Sequence, residues 1–531
     1  MTSPAAPIDR GEPLNLARAC IEAHATDPAS AARPAFTFIE AGDGERARVW
    51  TYAELWAEVQ RIARGLLGMG LVRGERVLIR LPHSPEYAFA FFGANLAGLV
   101  PVPASPQLTD EEARGLATDC GARALIAPVG APLDGFDGLV VTVAQLAALG
   151  TSEATRTLPE TRAEDPAYLL YTSGTTARPK GVLHAQRVVR GRALMCGDAW
   201  EGLGPGDTTL HAGTLNWSYT MGVGLMDSWA AGAHAMLVGG GVEPAAWPAL
   251  LERHRVTVFT AVPTVYRQML KYGRPEDASL DALRHVLCAG EALTPALAQE
   301  WAARIGKPMY ESLGMTEVST YISSGPGVPV RLGSPGRPQP GRRVAVLAED
   351  AGDAVGTGDR AGVEAVPVLL PPGEVGLLAV HRSDPGLMLG YWQRPEEEAA
   401  VFRGDWFCGG DRASIDADGY VWFHGRADDV MKSFGYRLSP VEIEAALASC
   451  PGVAEVAVVG LAVDAEKTLV TACIVPLPGE APSEAALRAH ASAHLAGYKQ
   501  PHQYRILESL PRTANGKVLR RVLLERLSAG A

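Results

Sequence analysis

The chain has 531 residues, 47% of them hydrophobic and 20% charged, with a formal net charge of −11. That length exceeds what one hydrophobic core fills, since single cores stop growing near ~250–300 residues. The acidic balance argues against a nucleic-acid partner, although a local basic pocket can still hold a small anion. Cysteines at 20, 120, 196, 288, 408, 450 and 473 are scattered, with no C-x-x-C or Cys/His cluster. This is the usage of reduced thiols in a cytoplasmic protein, and it argues against a disulfide framework or a zinc site. The start, Met1-Thr2-Ser3-Pro4, has no charged segment leading into an apolar one, so no secretory signal is expected.

In chain order, Thr51 three positions before Glu54 predicts a capped helix. Val77–Leu81 and Ala124–Ala127 read as strands. The longest apolar run, Tyr87 to Ala104, is broken by Asn95, Pro101 and Pro103. It reads as a buried helix and then a strand, with no membrane span. Ala167–Leu170 predicts a buried strand, and a helical pattern resumes near His184. Further strands are expected at Ala235–Val238, Val256–Phe259 and Val286–Ala289, an alternation that argues for layered α/β sheets.

Past Glu317 the composition turns to Gly and Pro, then to the short strands Val344–Val346 and Gly376–Val380. This predicts a small β-barrel-like subdomain over about 325–428, with a long exposed loop from Ala351 to Pro372. A break near Asp428 precedes helices at Ser439–Ser449 and Ser483–Leu495 and strands at Val453–Val459 and Leu469–Val475. The expected organisation is therefore an N-terminal domain, 1–428, and a small mobile α+β domain, 429–531.

Between the strand at Ala167 and His184 lies Tyr171-Thr172-Ser173-Gly174-Thr175-Thr176-Ala177-Arg178-Pro179-Lys180-Gly181. Glycine lets backbone approach an anion, hydroxyls and N–H groups donate to it, and lysine adds charge. Pro179 stands where a Walker A loop needs its second glycine, so this is another kind of phosphate loop.

Four motifs follow it in order: Gly290-Glu291-Ala292; Leu313-Gly314-Met315-Thr316-Glu317; Trp406 to Asp411 running on to Gly425-Arg426-Ala427-Asp428-Asp429; and Pro511-Arg512-Thr513-Ala514-Asn515-Gly516-Lys517. Together with the loop they resemble the adenylate-forming superfamily of acyl-CoA synthetases, adenylation domains and luciferases, over nearly the whole chain. The style is nearest to medium-chain and benzoate-type ligases.

The resemblance implies ATP, Mg²⁺ and coenzyme A as cofactors. It implies that Thr172, Ser173, Gly174, Thr175, Thr176 and Lys180 hold the β- and γ-phosphates, that Thr316 touches the α-phosphate, and that Glu317 with Thr175 binds Mg²⁺. Gly290, Glu291 and Ala292 would line the adenine, continued by Ser312, Leu313, Gly314 and Met315. Asp411 would take the ribose hydroxyls, with Arg426 beside it. Lys517 would be the catalytic lysine, carried on the mobile domain and touching both the carboxylate and the α-phosphate. Asp428 would be the hinge. Its rotation would exchange Lys517 for the Lys432–Arg437 segment, with Lys432, Gly435 and Tyr436 along the pantetheine path and Arg437 reaching phosphate beforehand.

A pocket built from Trp217, Tyr219, Met221, Gly222 and Ser319 would take the acid. It has no evident cation for a second charge, and Asn216 stands where an amino-acid substrate needs a carboxylate. The expected activity is therefore ligation of an aromatic or medium-chain monocarboxylic acid to CoA through an acyl-AMP. Two other readings stay open: loading of a carrier-protein thiol, and a non-catalytic nucleotide-binding homologue. A homodimer is compatible with either. Three departures from the family pattern are Ala177 in place of glycine, Leu313 in place of an aromatic residue that stacks on adenine, and the length of the 351–372 loop.

Overall fold

Helix-capping chemistry and apolar spacing set the first layer. Thr51 accepts from the backbone N–H of Glu54, whose carboxylate accepts from the N–H of Thr51, and the helix Tyr52–Gly68 starts there. Its Leu55, Val59, Ile62 and Leu66 recur on one buried face and meet the helix Pro85–Leu96. Gly93 permits that approach, because a Cβ there would stand 2.6 Å from the Ile62 side chain. The Tyr87–Ala104 run is this buried helix followed by the strand Val100–Pro103, as its interruptions predict. No helix among the described residues is long and apolar enough to cross a membrane.

The structure is a computed structural model that describes residues 9–40, 46–130, 133–149, 157–172, 180–349, 367–427, 431–433, 436–438, 440–462, 468–495, 497–512 and 518–529. A nine-stranded sheet runs, in spatial order, through Arg337–Pro338, Ser319–Ser323, Met309–Met315, His285–Ala289, Val258–Ala261, Thr208–His211, His234–Val238, Pro34–Glu40 and Arg46–Thr51. Its middle is parallel and its margins antiparallel. A second, parallel sheet holds Val100–Pro103, Arg76–Ile79, Ala122–Ala127 and Leu139–Thr142. Parallel strands with helices between them are the layered α/β arrangement that the alternation predicts.

Two boundaries differ from the sequence expectation. The segment after the phosphate loop is a strand, Lys180–Ala185, paired antiparallel with Pro166–Thr172, and the helix begins only at Val188. Gly181-Val182-Leu183 is a short apolar run, and periodicity does not separate strand from buried helix over such lengths. The strand expected at Val256 begins at Val258. The 351–366 part of the expected long loop lies outside the described residues.

Val344–Leu347, Gly376–His381, Trp406–Ile415 and Val421–Arg426 form an antiparallel sheet around Tyr321, Leu378, Val380 and Phe407. A last sheet, Val453–Ala462, Thr468–Pro476 and Gln503–Ile506, carries the helices Pro440–Ala448 and Glu484–His494 on a core of its own: Ile443, Leu447, Val458, Val470 and Leu487.

One buried ion pair ties these parts to the site. Arg342 and Asp384 have no exposed side-chain surface and lie 2.7 Å apart. The same guanidinium donates to the carbonyls of Gly191 and Thr320 and to Gln339 Oε1. It thus fastens the helix after the phosphate strands to the strand that starts at Ser319. Removing one partner of such a pair strands a buried charge. Arg342→Ala is expected to destabilise the N-terminal part by about 3–5 kcal/mol, read as an earlier urea transition; an unshifted midpoint would refute this coupling.

Candidate active site

Thr172 and Lys180 are register partners where the two phosphate-loop strands end. The loop between them, with Ser173, Gly174, Thr175 and Thr176, lies outside the described residues. Lys180 Nζ is 2.7 Å from Glu397 Oε2 and stands 5.4 Å over the ring of Tyr391. Lysine is thereby held at the loop's end by one carboxylate and one aromatic face.

Thr316 and Glu317 occupy the turn between Met309–Met315 and Ser319–Ser323. The turn is pinned from the phosphate strand, where His184 Nε2 lies 2.7 Å from the Thr316 carbonyl. Burial pushes the His184 imidazole down to about 4, so it is neutral and has a single ring N–H to donate. Tyr391 donates to Glu317 Oε1 at 2.8 Å, and the backbone N–H of Met388 donates to the Glu317 carbonyl. The second Glu317 oxygen has no partner among the described residues. A hard divalent cation takes oxygen ligands of this kind, so the residue fits Mg²⁺.

Gly290 sits at φ +88°, at the end of the strand His285–Ala289, and a Cβ there would be 3.1 Å from the Trp217 indole. Glu291 accepts from Thr264 Oγ1 at 2.7 Å, with Ala292 next to it in sequence. Ser312 is buried and donates to the Ile322 carbonyl, while Leu313 is half-buried. Gly314 lies against the backbone of Thr320, where a Cβ would come within 2.6 Å of Cα. Asp411 and Arg426 face each other on neighbouring strands, Oδ1 to Nη1 at 3.2 Å. The described motif residues of the N-terminal part thus line up along the adjoining ends of three sheets.

The acid-pocket segment is not the α-helix its position suggests. Thr220–Asp227 is a π-helix, all eight residues buried. Such turns are rare and concentrate at functional sites. Trp217 meets Tyr219 edge to face at 5.1 Å, and Tyr219 lies beside Trp200. The sequence shows no evident cation for a second charge here; the structure adds an arginine whose charge is already taken by Asp227. Arg192 lines the same cavity as Ser218, Met221, Met315, Thr316 and Ser319. Its Nε and Nη2 donate to the two oxygens of Asp227, at 2.7 and 2.5 Å, and its Nη1 to Ser319 Oγ at 2.7 Å. Gly222 admits this guanidinium: a Cβ would be 2.2 Å from Nη2. The pair spans 35 positions of sequence, so no local pattern announces it.

Cys196 and Glu201 lie close to Asp227, their ligand atoms within 4.8 Å of one another. The donor set does not fit a metal. Asp227 gives both oxygens to Arg192, and burial raises the Cys196 thiol and the Glu201 carboxyl so that both keep their protons.

Lys517, Asp428 and Gly435 lie outside the described residues. Lys432 and Tyr436 fall in the ribbon of Met431–Ser433 with Tyr436–Leu438, where Lys432 is the register partner of Arg437. The residues flanking Lys517 are informative: Arg512 bridges Val518, and its Nη1 comes 3.7 Å from Glu291 Oε1. The segment that follows the C-terminal sheet therefore touches the Gly290-Glu291-Ala292 motif through Arg512.

Fold and site together define an adenylate-forming ligase that joins an acid to a thiol through an acyl-AMP. Residues 24–392 match the family of AMP-binding enzymes and 442–517 match the AMP-binding enzyme C-terminal domain, so the chain belongs to that family. It is similar to a benzoate–CoA ligase of Thauera aromatica, 33% identical over 89% of this chain and 90% of that one. It is also similar to a 3-hydroxybenzoate–CoA ligase of Aromatoleum sp. (strain CIB), 31% identical over 91% and 93%. The crystal structure of an anthranilate CoA ligase in complex with anthranoyl-AMP superposes with a TM-score of 0.85, at 28% identity and covering 99% of both chains. The enzyme is an AMP-forming acid–thiol ligase that uses ATP, Mg²⁺ and CoA.

The strand that delivers Met315 also carries a titrating group. Burial raises Glu311 to about 7, although the N–H of Leu293 donates to it at 2.8 Å. The folded state therefore holds this proton more tightly than the unfolded chain, whose carboxyl titrates near ~4.3. Its contribution to stability is full below that value and is lost as pH rises toward about 7. Glu311→Gln keeps the acceptor and removes the titration. The variant's stability, minus that of the parent, is expected to increase between those two pH values in denaturant titrations; a flat difference would remove Glu311 as the source.

Proposed function

We propose that the acid activated here is an aromatic monocarboxylic acid and that the acceptor is free CoA. The observation that carries this is the pocket wall. Phe91 and Tyr168 line the cavity at Thr316, Trp217 and Tyr219 meet edge to face on the segment next to it, and Gly290 leaves the indole room to lie against the backbone. Flat aromatic walls favour a ring between them over a flexible chain, through stacked or edge contacts worth about 0.5–1.5 kcal/mol each beyond area burial. The aromatic substrates named for the two curated relatives support the same reading. Medium-chain acids are the runner-up.

In this reading Thr172, Lys180 and the loop between them hold the β- and γ-phosphates, and Thr316 approaches the α-phosphate. Asp411 orients the ribose through its two oxygens. Bound at Glu317, Mg²⁺ would supply charge neutralisation to the phosphates. The acid's carboxylate oxygen attacks the α-phosphorus, the bond to the bridging oxygen breaks, and pyrophosphate leaves. The CoA sulfur, as thiolate, then attacks the acyl carbon, and AMP leaves with the electron pair of the C–O bond. Lys517 brings positive charge to the first step, where two anions meet. Arg512, five residues before it and in contact with Glu291, supports its assignment to the nucleotide face. Asp428 as the hinge and Lys432, Gly435, Tyr436 and Arg437 near the pantetheine and phosphate complete the proposal.

Pyrophosphate release with ATP across benzoate, hexanoate and phenylalanine, with and without CoA, tests the substrate class. Benzoate is expected to give the largest kcat/KM and CoA-dependent AMP formation. Preference for hexanoate, or pyrophosphate without acyl-CoA, would replace this reading with the runner-up or with carrier loading.

Lys517→Ala is expected to slow acyl-AMP formation about 100-fold or more, while thioester formation from supplied acyl-AMP changes little. Equal losses in the two half-reactions would contradict the assignment.

A further inference from the structure

The cavity at the Thr316 turn is lined by the apolar Phe91, Leu170, Met221 and Met226 together with the polar Arg192 and Ser319. Three features make this corner more than a structural ion pair. First, the pair is expensive where it stands: the Arg192 and Asp227 side chains are 6% and 1% exposed, and well-packed apolar residues often serve stability as well as such a pair does. Second, donor capacity is left over. A guanidinium has five N–H groups. Three are taken by Asp227 and Ser319, and the others have no partner among the described residues. The Ser319 hydroxyl accepts from Arg192, and its own hydrogen faces only the Met195 sulfur at 3.9 Å. Third, the backbone is spent on it. Ser319 is held at φ +74°, a left-handed conformation costly for a residue with a side chain, and Gly222 leaves the space that the guanidinium fills.

Charge decides what such donors can hold. Both Asp227 oxygens neutralise Arg192, and the nearby Glu201 keeps its proton. No net positive charge remains for a second carboxylate, but neutral acceptors are served well. We propose that Arg192 and Ser319 form a hydrogen-bond-donating subsite for an oxygen substituent on the ring of the acid, so that the preferred substrate is an oxygen-substituted aromatic acid. This rests on the aromatic reading above and names its class more closely. Asp227 is the positioning residue that fixes the guanidinium's plane.

The test is the ratio of kcat/KM for the best monohydroxybenzoate isomer to that for benzoate, measured by pyrophosphate release. An apolar pocket discriminates weakly against an added or missing hydroxyl, whereas a site with buried donors disfavours the analogue that leaves them unpaired. The ratio for the parent enzyme is expected to exceed about tenfold. Ser319→Gly suits the left-handed backbone and removes only the hydroxyl, and Arg192→Met with Asp227→Leu removes the pair together. Each change is expected to bring the ratio near one, whatever it does to absolute rates. A purely structural role would lower both substrates alike and leave the ratio intact; that outcome overturns the subsite. A parent ratio near one, or preference for a benzene dicarboxylate, overturns it too. Turnover of hexanoate with none of benzoate or any hydroxybenzoate overturns the aromatic reading and the subsite together, whereas turnover of both ring acids without discrimination overturns the subsite alone.

Discussion

A neutral imidazole joins two of the sheets on which the site is built. His184 belongs to the strand that leaves the phosphate loop, and its Nε2 reaches the carbonyl of Thr316, on the turn between two strands of the large sheet. Burial makes this bond dependable. With its titration pushed to about 4, the ring stays uncharged across ordinary pH, and its one N–H is committed to Thr316. Tyr391 adds a second tie, bonding Glu317 while its ring lies under Lys180. Thr172 with Lys180 and Thr316 with Glu317, two pairs well over a hundred positions apart in sequence, are thereby held on one frame. A phosphate chain bound at one end of this frame would have a fixed direction toward the other.

Much of this was legible, and the failures have physical causes. Capping chemistry is local, so Thr51 and Glu54 announced their helix; the interrupted apolar run at Tyr87 gave a helix and a strand for the same reason. The ordered motifs named the family because each needs only its own few residues. The helix expected near His184 starts only at Val188, because the short apolar run Gly181-Val182-Leu183 fits either period. The π-helix at Thr220–Asp227 was invisible because a segment buried on every side shows no amphipathic period at all. Arg192 and Arg342 were missed for a third reason. A buried arginine is recognised by its partner, and those partners lie 35 and 42 positions away.

These missed contacts also explain a problem the chemistry poses. An acid entering an apolar pocket carries one charge, which must stay at the mouth, against the nucleotide. A bare guanidinium at the far end would attract that charge inward: at an effective dielectric of ~20, two unit charges ~4 Å apart interact by about 4 kcal/mol. That is enough to bind the acid backwards. Asp227 cancels the attraction without removing the donors, and burial keeps Glu201 from adding a second negative charge. The far end then offers direction without net charge. In the proposed reading the carboxylate is then left to the mouth of the cavity, at Thr316. In that reading Asp227 touches no reacting atom and sets which end of the acid faces the phosphorus.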